Sequence, residues 1–166
     1  MSSVLKSSTM KLSVFIWLTL NNHLAQTIFY LQEQGFIHKD MKHEADNVLI
    51  SYLKNEYHAI LTDFGKCVEL TAAGSLVKHF SPEKQNIFQR KHGHTAPEIV
   101  SGASPPSYTS DMFSFGRMTY AVDTNFQCSL LCSLRKKYIC NDPEFKLQLC
   151  HIIEDLEVLL KLIASD

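Results

Sequence analysis

The chain has 166 residues, 45% hydrophobic and 20% charged, with a formal net charge of −1 at pH 7. That balance is ordinary for one globular domain, long enough to bury a core without disulfides or metal. Its longest basic run is Arg135-Lys136-Lys137, so charge leaves no footprint for nucleic acid.

Residues 1–11 are rich in Ser and Thr and predict a frayed start. The apolar run "LSVFIWLTL" at 12–20 follows Lys6 and Lys11, loosely in the manner of a signal peptide, with "HLA" downstream as a cleavage site. It is too short to cross a bilayer, which takes about 20 residues. A core-facing helix or strand is the plainer reading, and neither secretion nor a membrane partner is expected. From Thr19 to Gln34, Leu20, Leu24, Thr27, Ile28 and Leu31 recur at steps of three and four, which predicts a helix. Asn21 and Asn22 are candidate start signals and Gly35 a stop.

Phe36-Ile37 and Val48-Leu49-Ile50 read as short strands flanking a polar loop, and His58–Thr62 as a third strand. Gly65 to Thr95 shows no period and is read as a long loop, punctuated by Gly74, Ser81-Pro82 and Gly93. Pro97–Val100 predicts one helical turn and 101–109 a turn-rich connector. Ser110–Ala121 predicts a helix with Ser110 or Asp111 as cap, apolar at Phe113, Phe115, Met118 and Val122, and open to close packing at Gly116. Residues 123–140 are irregular, with Leu130, Leu131 and Leu134 suggesting a helix. Asp142 and Pro143 open a last helix whose stripe runs through Phe145, Leu149, Ile152, Ile153, Leu156, Leu159, Leu160 and Ile163.

Five cysteines, at 67, 128, 132, 140 and 150, form no C-x-x-C pair. They read as thiols in a reducing cytosol, although Cys128 and Cys132 have the spacing to share a helix face near a metal. His92-x-His94 lacks a third ligand at a suitable spacing and reads as a surface or loop pair.

Four strings carry the chemistry, in one order: His38-Lys39-Asp40, Asp63-Phe64-Gly65, Ala96-Pro97-Glu98, and Ser110-Asp111 opening "SDMFSFG". Each is common alone. Here the first follows a helix, the second follows a strand and the last opens a helix. Taken together they resemble the large, mostly helical lobe of a protein kinase. The resemblance runs over residues 19–163, with 1–18 left as an N-terminal segment. It implies an α+β, predominantly α-helical fold with a few short strands.

The resemblance also implies roles. Asp40 would accept the proton of a substrate hydroxyl and Lys42 would steady the transferred phosphate. Asn47 and Asp63 would hold Mg²⁺ against ATP. His38 would be structural, as would Asp111, which would tie the catalytic-loop backbone. Glu98 would form a salt bridge with Lys146. Partners would be a protein substrate or another protein. Lys42 points to serine or threonine hydroxyls, whereas Thr95 before "APE" is more like tyrosine kinases. Thr71, Ser75, Ser81 and Thr95 are candidate phosphosites.

The sequence departs from the family pattern in four ways. No G-x-G-x-x-G occurs, nor a strand lysine with a helix glutamate, so the chain is expected to represent the helical lobe alone and to transfer phosphate weakly. The alternatives are a pseudokinase-like interaction module or a truncated product. The loop from Asp40 to Asn47 is two residues too long for the family, whose step lands on Ala45. Asn47 fits only if His43–Asp46 bulge outward, since two residues can displace a ligand by up to about 7 Å. Lys39 and Lys146 stand where arginines are usual, keeping charge and losing the bidentate fork.

Overall fold

A computed structural model describes residues 14–42, 47–76, 80–123 and 149–164. The first helix, α1 (Val14–Glu33), starts five residues before the expected Thr19. Its opening turns are the apolar run, and Trp17, Leu18 and Leu20 are buried there, so the run is a core-facing helix. Asn21 is not a start signal. It is buried inside the helix, and its amide donates to the Trp17 carbonyl at 2.8 Å, the back-bond that lets a polar side chain sit in a helix interior. Gly35 ends α1 at φ 80°, a left-handed position that glycine adopts without a Cβ penalty.

Strand β1 (Phe36–Ile37) pairs antiparallel with β4 (Val68–Glu69), Phe36 opposite Glu69 and Ile37 opposite Val68. The Leu70 amide adds a bond to the Gly35 carbonyl at 2.8 Å, which extends the β1–β4 pairing by one position. Strands β2 (Val48–Leu53) and β3 (Glu56–Leu61) form a separate antiparallel hairpin in which Val48 faces Leu61 and Leu53 faces Glu56. Strand β2 runs on past the expected Ile50, and β3 starts before the expected His58 and ends one residue short of Thr62. The two-residue turn that joins them, Lys54-Asn55, holds φ at 50° and 66°, the mirror-image turn that matches strand twist.

The stretch from Gly65 to Thr95 is not a structureless loop. It contains β4, 3-10 turns at Phe64–Lys66 and Leu70–Leu76, and a ten-residue helix, α2 (Pro82–Lys91). No residue of α2 is buried, so it leaves no apolar stripe in the sequence. It is fixed instead by an aromatic ladder, Phe80 on Phe88 at 5.3 Å and Phe88 on His92 at 4.4 Å, and by Pro82 in its first turn.

Helices α3 (Pro97–Ser101), α4 (Tyr108–Asp123) and α5 (Leu149–Ala164) complete the described fold. The cap of α4 is Ser107, not Ser110 or Asp111. The Ser110 amide donates to Ser107 Oγ at 3.3 Å, and the Ser107 amide donates to Ser110 Oγ at 3.0 Å. This reciprocal capping leaves the Asp111 carboxylate free to act elsewhere.

The core lies where α1 meets α5 and β3. Ile28, Met41, Phe115, Ile152 and Leu156 are among its most deeply buried members. Ile152 and Leu156 recur on the face of α5 that the sequence stripe marks, with Ile153, Leu159 and Leu160 half-buried beside them. The result is an α+β fold, mostly helical, with few short strands. Among the described residues no helix is long and apolar enough to cross a membrane. The expected bulge at His43–Asp46, the helix suggested at 123–140 apart from its first residue, the start of the last helix, the pair Cys128 and Cys132, and Lys146 lie outside the described residues.

Candidate functional site

The loop from His38 to Lys42 leaves β1 and is held from below by α4. Asp111 is buried, and its two oxygens accept the backbone amides of consecutive residues: His38 N–H to Oδ2 at 2.6 Å and Lys39 N–H to Oδ1 at 2.9 Å. Lys39 sits at φ 67°, left-handed for a non-glycine, which costs roughly 1–2 kcal/mol. The two charge-assisted bonds offset that cost and aim the next residue. Burial pushes the Asp111 carboxyl up to about 6, against the pull of the two amides that favour its ionised form.

Asp40 is that next residue, and it is buried. Both its oxygens are engaged by cations: Lys66 Nζ stands 2.9 Å from Oδ1 and Lys42 Nζ 3.4 Å from Oδ2. His94 Nε2 lies 4.0 Å from Oδ1. Burial alone would raise the Asp40 carboxyl, but the two ammonium groups outweigh it and hold it below the usual carboxylate range. The Asn47 amide nitrogen donates to the Asp40 carbonyl, which ties the far end of the loop back to Asp40.

Asp63 follows β3. It holds φ 62° and ψ 60°, again left-handed without glycine, and the 3-10 turn Phe64–Lys66 starts from it. His38 links this turn to Asp40. Its Nε2 donates to the Thr62 carbonyl at 3.1 Å, its Nδ1 accepts the Asp40 amide at 3.4 Å, and its ring meets Phe64 edge-on at 5.1 Å. These partners define the neutral ring with its proton on Nε2. Desolvation lowers the His38 pKa, outweighing the Thr62 bond and the charges of Asp40 and Asp63 that favour the cation. Both carboxylates thus act on one imidazole. The Thr62 amide also donates to the Asn47 carbonyl at 2.8 Å, which sets Asn47 beside the approach to Asp63.

The structure therefore brings together His38, Asp40, Lys42, Asn47, Asp63 and Asp111. Glu98 stands apart from them, buried on α3, where it lines an open groove of about 660 Å³ with Gln89, Phe113 and Arg117. Of the candidate phosphosites, Thr71, Ser75 and Ser81 are exposed and Thr95 is half-buried. Two residues were missed from sequence. His94 is buried against Asp40 and is no surface residue, and the Ser114 hydroxyl holds its carbonyl at 2.8 Å. Lys66 reaches Asp40 across 26 positions of chain, a contact with no local sequence signal beyond its place next to Gly65. Among the described residues no three His, Cys, Asp or Glu side chains cluster in a way that would hold a metal unaided.

Comparison with known proteins fits this geometry. The protein kinase domain model matches residues 5–143. A probable CTD kinase subunit alpha homolog of Encephalitozoon cuniculi (strain GB-M1) is 30% identical over 93 residues, 56% of this chain and 24% of its own length. Serine/threonine-protein kinase pkn2 of Myxococcus xanthus is 34% identical over 107 residues, 63% of this chain and 12% of its own. Probable serine/threonine-protein kinase gdt4 of Dictyostelium discoideum is 29% identical over 112 residues, 66% of this chain and 6% of its own. The chain belongs to the protein kinase family, and it spans a quarter or less of the length of these relatives.

Proposed function

We propose that this chain carries the phosphotransfer floor of a protein kinase, directing the terminal phosphate of Mg·ATP to a hydroxyl of a protein substrate. The observation that carries the reading is the grip of Asp111 on two consecutive amides, which presents Asp40 beside the turn that bears Asp63. Asp40 accepts the hydroxyl proton and Lys42 steadies the phosphate in transfer. Asp63 and Asn47 offer oxygens to Mg²⁺. The donor set fits that ion, which is commonly bound by one or two carboxylates together with substrate phosphates and water. With its nitrogen committed to the Asp40 carbonyl, Asn47 keeps its amide oxygen for the metal. His38 and Asp111 position the loop.

Lys42 favours serine or threonine as the acceptor. One of Thr71, Ser75, Ser81 and Thr95 is modified, and the setting is cytoplasmic. Turnover by the 166-residue chain is weak, well below about 1 s⁻¹, the slow end for protein kinases. The longer loop to Asn47 supports that expectation. In a radiolabelled transfer assay with generic protein substrates, Asp40→Asn should cut the signal by about 10²-fold or more. A signal that survives the substitution unchanged contradicts the reading.

A second reading, an interaction module, is favoured by the hairpin. Leu49 and Ile60 are paired across β2 and β3 and both exposed, with Tyr52 and Leu53 exposed nearby. A chain that stays monomeric at high concentration and enriches no partner reproducibly would remove it.

A further inference from the structure

Resting on the reading above, we propose that Lys66 is a second phosphate-directed cation of this site, one that exchanges its contact with Asp40 for the terminal phosphate of a bound nucleoside triphosphate. A hydroxyl that gives its proton to Asp40 must come within about 2.6–3.2 Å of a carboxylate oxygen. Both oxygens are already engaged, Oδ1 by Lys66 at 2.9 Å and Oδ2 by Lys42 at 3.4 Å. Each oxygen keeps a second lone pair, so no cation is forced off, but the more exposed one is free to shift toward an incoming phosphate. The His94 side chain is 8% exposed and that of Lys42 33%, whereas the Lys66 side chain is 61% exposed and has room to leave. An ion pair with one exposed member holds weakly, so its exchange for a more highly charged phosphate is favourable.

Place in the fold points the same way. Lys66 ends the short 3-10 turn that Asp63 caps, so one turn carries a carboxylate at its start and an ammonium at its end. A lysine stem of four carbons with three rotatable donors covers the step without moving the backbone. Lys42 and Lys66 then bracket the phosphate, and Oδ1 is released to the hydroxyl.

Calorimetry on the full chain tests this, with Mg²⁺ and either the β,γ-imido analogue of ATP or ADP, at up to millimolar concentration. The wild-type chain should prefer the triphosphate. Lys66→Met should weaken the triphosphate about tenfold while changing ADP less than about twofold, and Lys66→Arg should recover most of the loss. The exposed position of Lys66 keeps the variants folded, which their melting temperatures without nucleotide check. Equal wild-type affinity for the two nucleotides, or a Lys66→Met effect that is equal for both or absent, overturns the role of Lys66 and leaves the phosphotransfer reading standing. No binding of either nucleotide to the wild-type chain overturns both.

Discussion

Asp111 does the most positional work of any single residue described. Its carboxylate satisfies two amides of a loop whose middle residue, Lys39, is in a left-handed conformation. Asp111→Asn would replace one oxygen by an NH₂ that faces an amide N–H, losing a charge-assisted bond and leaving donors opposed. The expected cost is about 2–3 kcal/mol, or a melting temperature lower by roughly 5–10 °C in thermal denaturation. An unchanged melting temperature would mean that the loop is held by something else. The pH dependence has a definite sign. The folded Asp111 keeps its proton up to about 6, above the ordinary value of 3.8. Its stabilisation is therefore fully present below about pH 3.8 and lost as pH rises through 6. The stability gap between wild type and Asp111→Asn should accordingly be wider at pH 4 than at pH 8 in denaturant titrations, and a constant gap would count against the raised value.

At the scale of elements, those with a buried face or a special terminus were legible. The α1 stripe, the Gly35 stop and the Leu149–Leu160 stripe are read from spacing because burial selects apolar residues at helical period. Helix α2 was not, because it buries nothing and rests on side-chain stacking. Strand β1 was read at Phe36-Ile37, whereas its two-residue partner β4 was not, being too short for any alternation to show. The cap of α4 was misplaced because Ser107, Ser110 and Asp111 are all capable caps, and only the loop above decides which is drawn away. The site was legible at Asp40, Asp63 and Asp111, whose strings have fixed contexts. It was illegible at Lys66 and His94, whose value comes from long-range contact.

The joint between α1 and β3 supports a test at this scale. His23 and His58 stack in parallel at 5.4 Å, and His23 Nδ1 is buried without a hydrogen-bond partner. Desolvation lowers the His23 pKa, with the His58 charge adding to it and Glu56 opposing. A lowered histidine takes up fewer protons folded than unfolded, so its penalty is absent above about pH 6.5 and grows as pH falls below it. His23→Phe keeps the stacking and removes both the orphaned nitrogen and the charge. It should raise stability by about 1 kcal/mol at pH 7.5 and flatten the loss between pH 6.5 and 5.5 in parallel thermal melts. A variant with the wild-type acid slope would show that this pair is not the sensor.

At the scale of the whole molecule, one core links the floor of the site to the terminal helices. Met41, in the loop that carries Asp40, is buried in the same cluster as Phe115 on α4 and Ile152 on α5. Ile152→Ala should cost about 2–5 kcal/mol in chemical denaturation, since it opens a cavity where α1 and α5 meet. A cost under 1 kcal/mol would mean that α5 is loosely held. The loop after β1 and the turn after β3 are fastened to one mass, through Met41 on one side and Leu61 on the other, and the proposed site needs Asp40 and Asp63 to converge there. The most direct test of that convergence is calorimetric titration of the chain with Mg·ATP, wild type beside Asp63→Asn. Saturable binding that needs Mg²⁺ and is lost in Asp63→Asn is the expected result; binding that ignores the substitution, or none at millimolar nucleotide, would contradict it.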